Sequence, residues 1–332
     1  MRGITPAATA ARGFRMQAYL DFEKPVADLE GQLRELRAMG DGDDAVDVSD
    51  DIARLQAKSQ QALANLYGKL DAWQKTQVAR HPDRPHMRDY VEALIDGFHP
   101  LAGDRAFAED HALQTGLGRF RGRPVAVLGH EKGHDTQTRL HHNFGMARPE
   151  GYRKAVRIMD MAERFSLPVI SFIDTAGAYP GVGAEERGQA EAIARSTEAC
   201  LNLGTPSVAV VIGEGGSGGA IAIAAMSRVF MLEHAVYSVI SPEGAASILW
   251  RDATRAREAA TSMKITAQDL ERLGIIDGIV DEPVGGAHRE RASVFEATGD
   301  VIAAALAEFD GKDAAAVRRE RREKFLAIGR NL

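Results

Sequence analysis

Residues 211–225 read VIGEGGSGGAIAIAA, with five glycines in the seven positions 213–219. An apolar β-branched run leads in and an alanine-rich run leads out, which predicts a buried strand, a bare turn and a helix starting near Ser217. So dense a glycine turn constrains the fold more than any other stretch. It suits a place where backbone must approach backbone, or a ligand, with no Cβ between. A helix N-terminus also leaves N–H donors unpaired and carries partial positive charge. Main-chain donors gathered there describe an oxyanion hole. A second loop of this kind, DTAGAYPGVGAEERG at 174–188, follows the strand-like LPVISFI and precedes a helical pattern. Two strand–loop–helix units in tandem predict a repeated architecture.

Other short β-branched runs, RPVAVLGHE, PSVAVVIGEGG and RVFMLEHAVYSVIS, extend this into an α/β core over residues 96–285. Within it, PEGYRKAVRIMDMAERFS predicts a helix that packs Tyr152, Ala155, Val156, Met159, Ala162 and Phe165 on a sheet. Its Arg153, Lys154, Asp160 and Glu163 are expected on the opposite face. Upstream, one apolar series runs Val26, Leu29, Leu33, Leu36 and Met39, and another Ile52, Leu55, Ala62, Leu66, Leu70 and Trp73. These predict two amphipathic helices joined by the acidic GDGDDAVDVSD, so residues 1–95 form an N-terminal extension and a helical arm suited to assembly. Residues 286–332 return to a helical pattern, and the RRERREK within them reads as a solvated helix face.

At 332 residues the chain is long enough for about two domains and a sizeable core. Its 41 Lys and Arg against 47 Asp and Glu give a net charge of −6, which removes the broad basic surface of a nucleic-acid binder. The single cysteine, Cys200, allows neither an internal disulfide nor a cysteine zinc site and fits a reducing, cytoplasmic compartment. The weakly charged span 203–226 is interrupted by Pro206, Glu214 and the glycines, so it reads as buried core and not as a membrane span. Arg2, Arg12 and Arg15 stand among residues 1–15 without an acid; a translation start at Met16 explains them more simply than an organellar leader from Met1.

Two motifs point elsewhere and fail on context. His130–His134 read HEKGH, formally the zinc-protease pattern with His141 and His142 as further ligands, but the run follows a strand and contains Gly133, where the motif needs a helix. Gly213, Gly215 and Gly218 satisfy G-x-G-x-x-G, and Glu233 follows 20 positions after the first. That match lies deep in the chain, carries the extra Gly216 and Gly219, and has no Walker lysine, so a nicotinamide-dependent oxidoreductase is a weak reading.

The stretches FIDTAGAYPGVGAEERGQAEAIAR, VIGEGGSGGA, YSVISPEGAASILW, NFGMARPEGYRKA and QVARHPDRP resemble the carboxyltransferase alpha subunits of bacterial and plastid acetyl-coenzyme A carboxylase, over about residues 20–289. The resemblance implies a crotonase-like fold of repeated ββα units. It also implies a separate beta subunit of the same fold that carries a zinc ribbon, with no metal in the present chain. Carboxybiotin, delivered on a biotin carboxyl carrier protein, would give its carboxyl group to acetyl-CoA to form malonyl-CoA, the first committed step of fatty acid biosynthesis. The acetyl methyl proton would pass to the biotin nitrogen. By this resemblance Gly218 and Gly219 would hold the biotin ureido oxygen through their N–H groups, and a matching pair on beta would hold the thioester enolate. Gly215, Gly216 and Ser217 would let the cofactor approach, and Gly177, Ala178 and Gly181 would shape the opposite wall. ATP would be consumed by a biotin carboxylase subunit, and the transferase would be a cytoplasmic alpha2beta2 assembly requiring neither nucleic acid nor membrane. Three departures stand out: Ala176 replaces the usual proline, His130-Glu131-Lys132 the commoner H-Q-K, and Ala245 a usual cysteine.

Rival readings use the same residues differently. A stand-alone crotonase-type hydratase or isomerase would take Glu185 or Glu186 as its general base, although acids there also suit the start of a helix. A purely structural subunit would depend on the helical arm and not on the glycine turn.

Overall fold

The computed structural model describes residues 18–40 and 48–330, and these divide into two compact units with the boundary after Ser59. The basic stretch 1–15, Met16 and most of the acidic turn lie outside the described residues. In the first unit the predicted helix α1 spans Lys24–Gly40, with Val26 and Leu33 buried, and α2 (Ser49–Tyr67) starts there and runs on into the second. The second apolar series does not continue as one helix to Trp73. It stops at Tyr67 before Gly68, and a new helix, α3 (Ala72–Ala79), begins. The signal is a capping box: Gln74 N–H donates to Asp71 Oδ1 at 2.9 Å and Asp71 N–H to Gln74 Oε1 at 3.0 Å.

The second unit then runs α4 (Met87–Leu94), β1 (Ile95–Pro100), β2 (Leu113–Phe120), β3 (Arg123–His130), α5 (Thr136–His141), α6 (Pro149–Phe165), β4 (Val169–Thr175), α7 (Val182–Glu185) and α8 (Gln189–Asn202). Next come β5 (Ser207–Gly216), α9 (Ser217–Ala224), β6 (Arg228–Leu232), β7 (Val236–Ser238), α10 (Pro242–Trp250), α11 (Ala256–Met263), α12 (Ala267–Arg272), β8 (Gly278–Val280), α13 (Arg291–Ala307) and α14 (Ala314–Ala327). One sheet carries the order β1-β2-β3-β4-β5-β6-β8, with β7 paired to the end of β5. The β1–β2–β3 pairs are antiparallel and the others parallel. Every residue of β4 and of β5 is buried, as expected of parallel strands covered on both faces. Their carboxyl ends therefore open side by side, and the two glycine-containing loops meet there. β1 was not legible: IDGFHP carries Gly97 and Pro100 and buries only Ile95, which reads as a turn.

Two helical expectations need correction. In α6, Tyr152, Ala155, Met159 and Ala162 are buried as predicted, but Phe165 is 63% exposed and Lys154 is buried, its ammonium donating to the Asp110 carbonyl at 2.7 Å and to the Glu109 carboxylate. In α14 the RRERREK run is not wholly solvated. Arg321 is fully buried and donates to the Leu203 carbonyl at 2.6 Å and to Ser227 Oγ at 2.7 Å. The last carbonyls of a helix lack intrahelical donors, and the Arg321 guanidinium reaches those of Leu201 and Leu203 at the end of α8.

The loop between α3 and α4 is tied to β5 by a hydrogen bond and to the segment after β8 by a buried ion pair. Arg84 Nε donates to the Ile212 carbonyl at 2.7 Å, and its other nitrogens meet Glu282 at 2.9 and 2.6 Å. Both side chains are 0% exposed. Burial alone would push the Glu282 carboxyl up, but the Arg84 guanidinium outweighs it and holds the group at about 2. A carboxyl depressed from its ordinary 4.5 contributes stability that is present above that value and lost as pH falls toward 2. Arg84→Met should cost about 3–5 kcal/mol at pH 7, because it strands a buried carboxylate. In that variant burial raises the Glu282 carboxyl, so the deficit against wild type should shrink as pH is lowered from 7 to 4. Urea unfolding across this range checks it; a deficit independent of pH would contradict the account.

Candidate functional site

The predicted strand–turn–helix is present, with β5 ending at Gly216 and α9 beginning at Ser217. No side chain caps α9. Its first-turn N–H groups, those of Gly218 and Gly219 included, therefore keep the donors and partial positive charge of a helix start. Ser217 is held at φ 53°, a left-handed conformation costly to a residue with a Cβ. The run 215–219 also fits G-x-S-x-G, and Ser217 takes the strained strand-to-helix place of a nucleophile elbow. Its side chain is exposed and has no imidazole partner among the described residues.

The second loop lies directly against this turn. A Cβ on Gly216 would stand 2.2 Å from the Ala176 carbonyl oxygen, and one on Gly219 would stand 2.6 Å from Gly177 C and 2.7 Å from Ala178 N. Gly215 faces the Tyr237 ring, 2.8 Å from its would-be Cβ. The glycine requirement at 215 and 216 thus comes from packing within the chain. Gly218 differs: its would-be Cβ meets only the Ile193 side chain, at 3.4 Å, and the residue is partly exposed. In the loop itself the Thr175 hydroxyl donates to the Gly177 carbonyl at 2.7 Å and accepts from the Gly177 N–H at 3.1 Å. Gly181 leaves room for the Tyr179 ring, over which Arg148 sits at 4.8 Å. Glu185 and Glu186 are exposed at the end of the short α7, and neither is enclosed as a general base would need.

Behind the turn stands a charged layer that sequence reading missed, because its members lie far apart in the chain. Asp174, 1% exposed, accepts from Glu214 N–H at 3.0 Å and contacts Lys132 Nζ at 2.7 Å and His86 Nδ1 at 2.9 Å. Burial would push its carboxyl up; Lys132 first, then His86 and the Glu214 N–H, hold it well below the usual carboxylate range. Glu214 in turn meets Arg80 at 2.6 Å, and Arg80 meets Glu243 of α10 at 2.6 Å. The HEKGH run is not helical. Burial pushes the His130 imidazole down to about 3, His134 pairs with Asp89 at 3.3 Å, and no metal-holding group of His, Cys, Asp or Glu occurs among the described residues. A cavity of about 210 Å³ beside Ala176 is lined by Arg80, His86, Lys132 and Phe144. A larger one, about 510 Å³, lies between α6 and α8 and includes no residue of the turn.

The turn's geometry predicts opposite effects of two small substitutions. Ser217→Gly should raise the unfolding midpoint, since it removes a left-handed conformation worth roughly 1–2 kcal/mol against the entropy of an added glycine. Gly219→Ala should lower it, because the new Cβ meets backbone that cannot move aside. Thermal unfolding of both variants checks the pair; the reverse order would contradict the turn as described.

Comparison with known proteins bears on the same residues. A family model described as acetyl co-enzyme A carboxylase carboxyltransferase-like matches residues 19–329. A protein of Methylobacterium sp. (strain 4-46) named acetyl-coenzyme A carboxylase carboxyl transferase subunit alpha is 69% identical over 317 residues, 96% of this chain and 100% of its own length. One of the same name from Agrobacterium fabrum is 66% identical over the same coverage. Among solved structures, transcarboxylase 12S gives a TM-score of 0.56 at 20% identity, over 68% of this chain and 42% of that one. The chain thus spans about two fifths of that neighbour. A Pseudomonas malonate decarboxylase hetero-dimer gives 0.56 at 17% identity, over 71% and 98%. Such distant likenesses show the fold alone, the crotonase-like arrangement expected from the sequence.

Proposed function

The chain belongs to the acetyl co-enzyme A carboxylase carboxyltransferase family, and from that premise we propose that its glycine turn holds the ureido oxygen of biotin while a carboxyl group passes from carboxybiotin to acetyl-CoA, giving malonyl-CoA. Its activity is that of a carboxyltransferase, and the stand-alone hydratase reading is not favoured. Biotin supplies the ureido group through which the carboxyl travels and on whose oxygen negative charge develops. The observation that carries the reading is the uncapped start of α9, whose main-chain donors are the polar groups left at the turn once its glycines have packed against the 176–178 loop. Donors fixed in advance need no rearrangement as charge appears, which is how such a site lowers a barrier.

The chain's residues divide the work. Gly218 and Gly219 hold the oxyanion, Ser217 sets their direction, and Gly177, Ala178 and Gly181 form the facing wall. The residues 96–285 make the transferase core, and the helices before and after serve assembly. One turn of this kind holds one anion, so the thioester enolate needs a second site, which we assign to a beta partner carrying its own donors and zinc ribbon. Exposed apolar side chains near the turn support a partner: Val239 is 81% exposed, and Ile248 and Leu249 of α10 are 72% and 65% exposed. The Arg80 link joins α10 to Glu214, so this surface adjoins the site. The carrier protein would bring biotin, a biotin carboxylase would recharge it with ATP, and two alpha with two beta would complete a cytoplasmic enzyme.

The isolated chain should be inactive, and addition of its beta partner should restore biotin-dependent malonyl-CoA decarboxylation, the reverse reaction. In that complex Gly218→Pro, which deletes a donor, should turn over on the order of 10² to 10³ more slowly than Gly218→Ala, which keeps it. Gly219 is unsuitable for this test, since any Cβ at 219 strikes the other loop. Equal rates for the two Gly218 variants, or robust turnover by the chain alone, would sink the reading.

A further inference from the structure

The glycine turn does not fix its own position. Its entry, residues 213–214, is set by the carboxylate of Asp174: Oδ1 accepts the Glu214 N–H at 3.0 Å, and a Cβ on Gly213 would lie 2.4 Å from the same oxygen. Asp174 is itself held from two further segments. His86, from the loop before α4, brings Nδ1 to 2.9 Å of Oδ2, and Lys132, from the loop after β3, brings Nζ to 2.7 Å of Oδ1. The HEKGH run that imitates a zinc motif is what delivers Lys132. Glu131 Oε2 accepts the Arg88 N–H at 3.0 Å and Oε1 accepts the Gly133 N–H at 2.8 Å, which closes the loop beneath α4. Gly133, at φ 78°, is packed so tightly that a Cβ would meet Thr138 C at 2.5 Å. Lys132 also stands 3.8 Å from Glu214 Oε2, so one ammonium bridges the carboxylate that fixes the turn and the side chain of the residue being fixed.

We propose that Lys132, Asp174 and His86 form a positioning cluster for carboxyl transfer, in which Lys132 and His86 fix the Asp174 carboxylate and that carboxylate fixes the plane of the Glu214 peptide and so the aim of the Gly218 and Gly219 N–H groups. This rests on the reading of the turn as an anion site. Buried charges compensated within one cluster hold a geometry more rigidly than neutral contacts do, and donors for a developing charge work only within a few tenths of an ångström of their place. Lys132 is then a positioning residue and not a ligand of the substrate: its charge is already met by Asp174 and, at longer range, by Glu214.

The test is steady-state malonyl-CoA decarboxylation with biotin methyl ester as acceptor, in the complex reconstituted with the beta partner. Lys132→Met and Asp174→Asn should each lower kcat at least tenfold, with KM for malonyl-CoA and for the biotin ester within about twofold of wild type. Lys132→Arg should return most of the loss. Removing both charges together should cost no more than the worse single change, because the second removal leaves no unpaired partner. Each variant is also placed in the Gly218→Pro background, where it should add little, since the donor it aims is gone. If Asp174→Asn fails to assemble, the Lys132 series carries the test alone. A folded, assembled Lys132→Met enzyme at wild-type kcat would overturn the proposal, as would a rise in KM for the biotin ester at unchanged kcat, which would make Lys132 a direct contact. Should Gly218→Pro itself be near Gly218→Ala, the anion reading fails first; a damaging Gly218→Pro beside a harmless Lys132→Met refutes the cluster alone.

Discussion

Two stretches of backbone, 176–178 and 216–219, lie in contact with no side chain between them, and the site depends on that contact. It demands glycine at 216 and 219, where a Cβ would stand 2.2 and 2.6 Å from main-chain atoms of the other loop. It places the start of α9 where β4 and β5 end together, because both strands are parallel and buried along their length. It also leaves the turn with few functional side chains, which is why the proposed anion site is built from N–H groups. The strained Ser217 is the local consequence: the chain must leave a strand and enter a helix in one step.

Several charges lie behind the site and are paired within the chain. Arg84 meets Glu282, Arg80 meets Glu214 and Glu243, and Lys132 meets Asp174. Paired in this way they tie β4, β5, α10 and the segment 80–86 into one frame. An uncompensated cation at the same distance would bind a carboxylate tightly and resist its departure. The helix start offers a weaker, directional charge that matches an oxygen whose negative charge appears and then disappears during turnover.

The glycine turn, the helix beginning at Ser217 and the α/β core were legible because each is a local pattern: a β-branched run, a glycine cluster and an alanine run in succession. The resemblance to acetyl-CoA carboxylase alpha subunits rests partly on the same stretches, and the family match over residues 19–329 agrees with it. What escaped the sequence was long-range. Lys132 and Asp174 are separated by α5, α6 and most of β4, and the register of β3 beside β4 brings them together. Arg321 read as one more surface charge because nothing local shows that the carbonyls at the end of α8 need a donor. The break between α2 and α3 had a signal, Gly68 followed by the Asp71–Gln74 box, which the continuing apolar spacing through Leu70 and Trp73 concealed.

The proposed anion site requires that the Gly218 and Gly219 amides donate to the biotin ureido oxygen. The direct measurement is the amide proton shift of selectively ¹⁵N-glycine-labelled chain, assembled with unlabelled beta partner and titrated with biotin methyl ester. Gly218 and Gly219 should move downfield together with one saturation curve, while Gly97 and Gly311, remote on the chain, stay in place. Unchanged Gly218 and Gly219 resonances at saturating ester, with the shifts falling on other glycines, would contradict the claim.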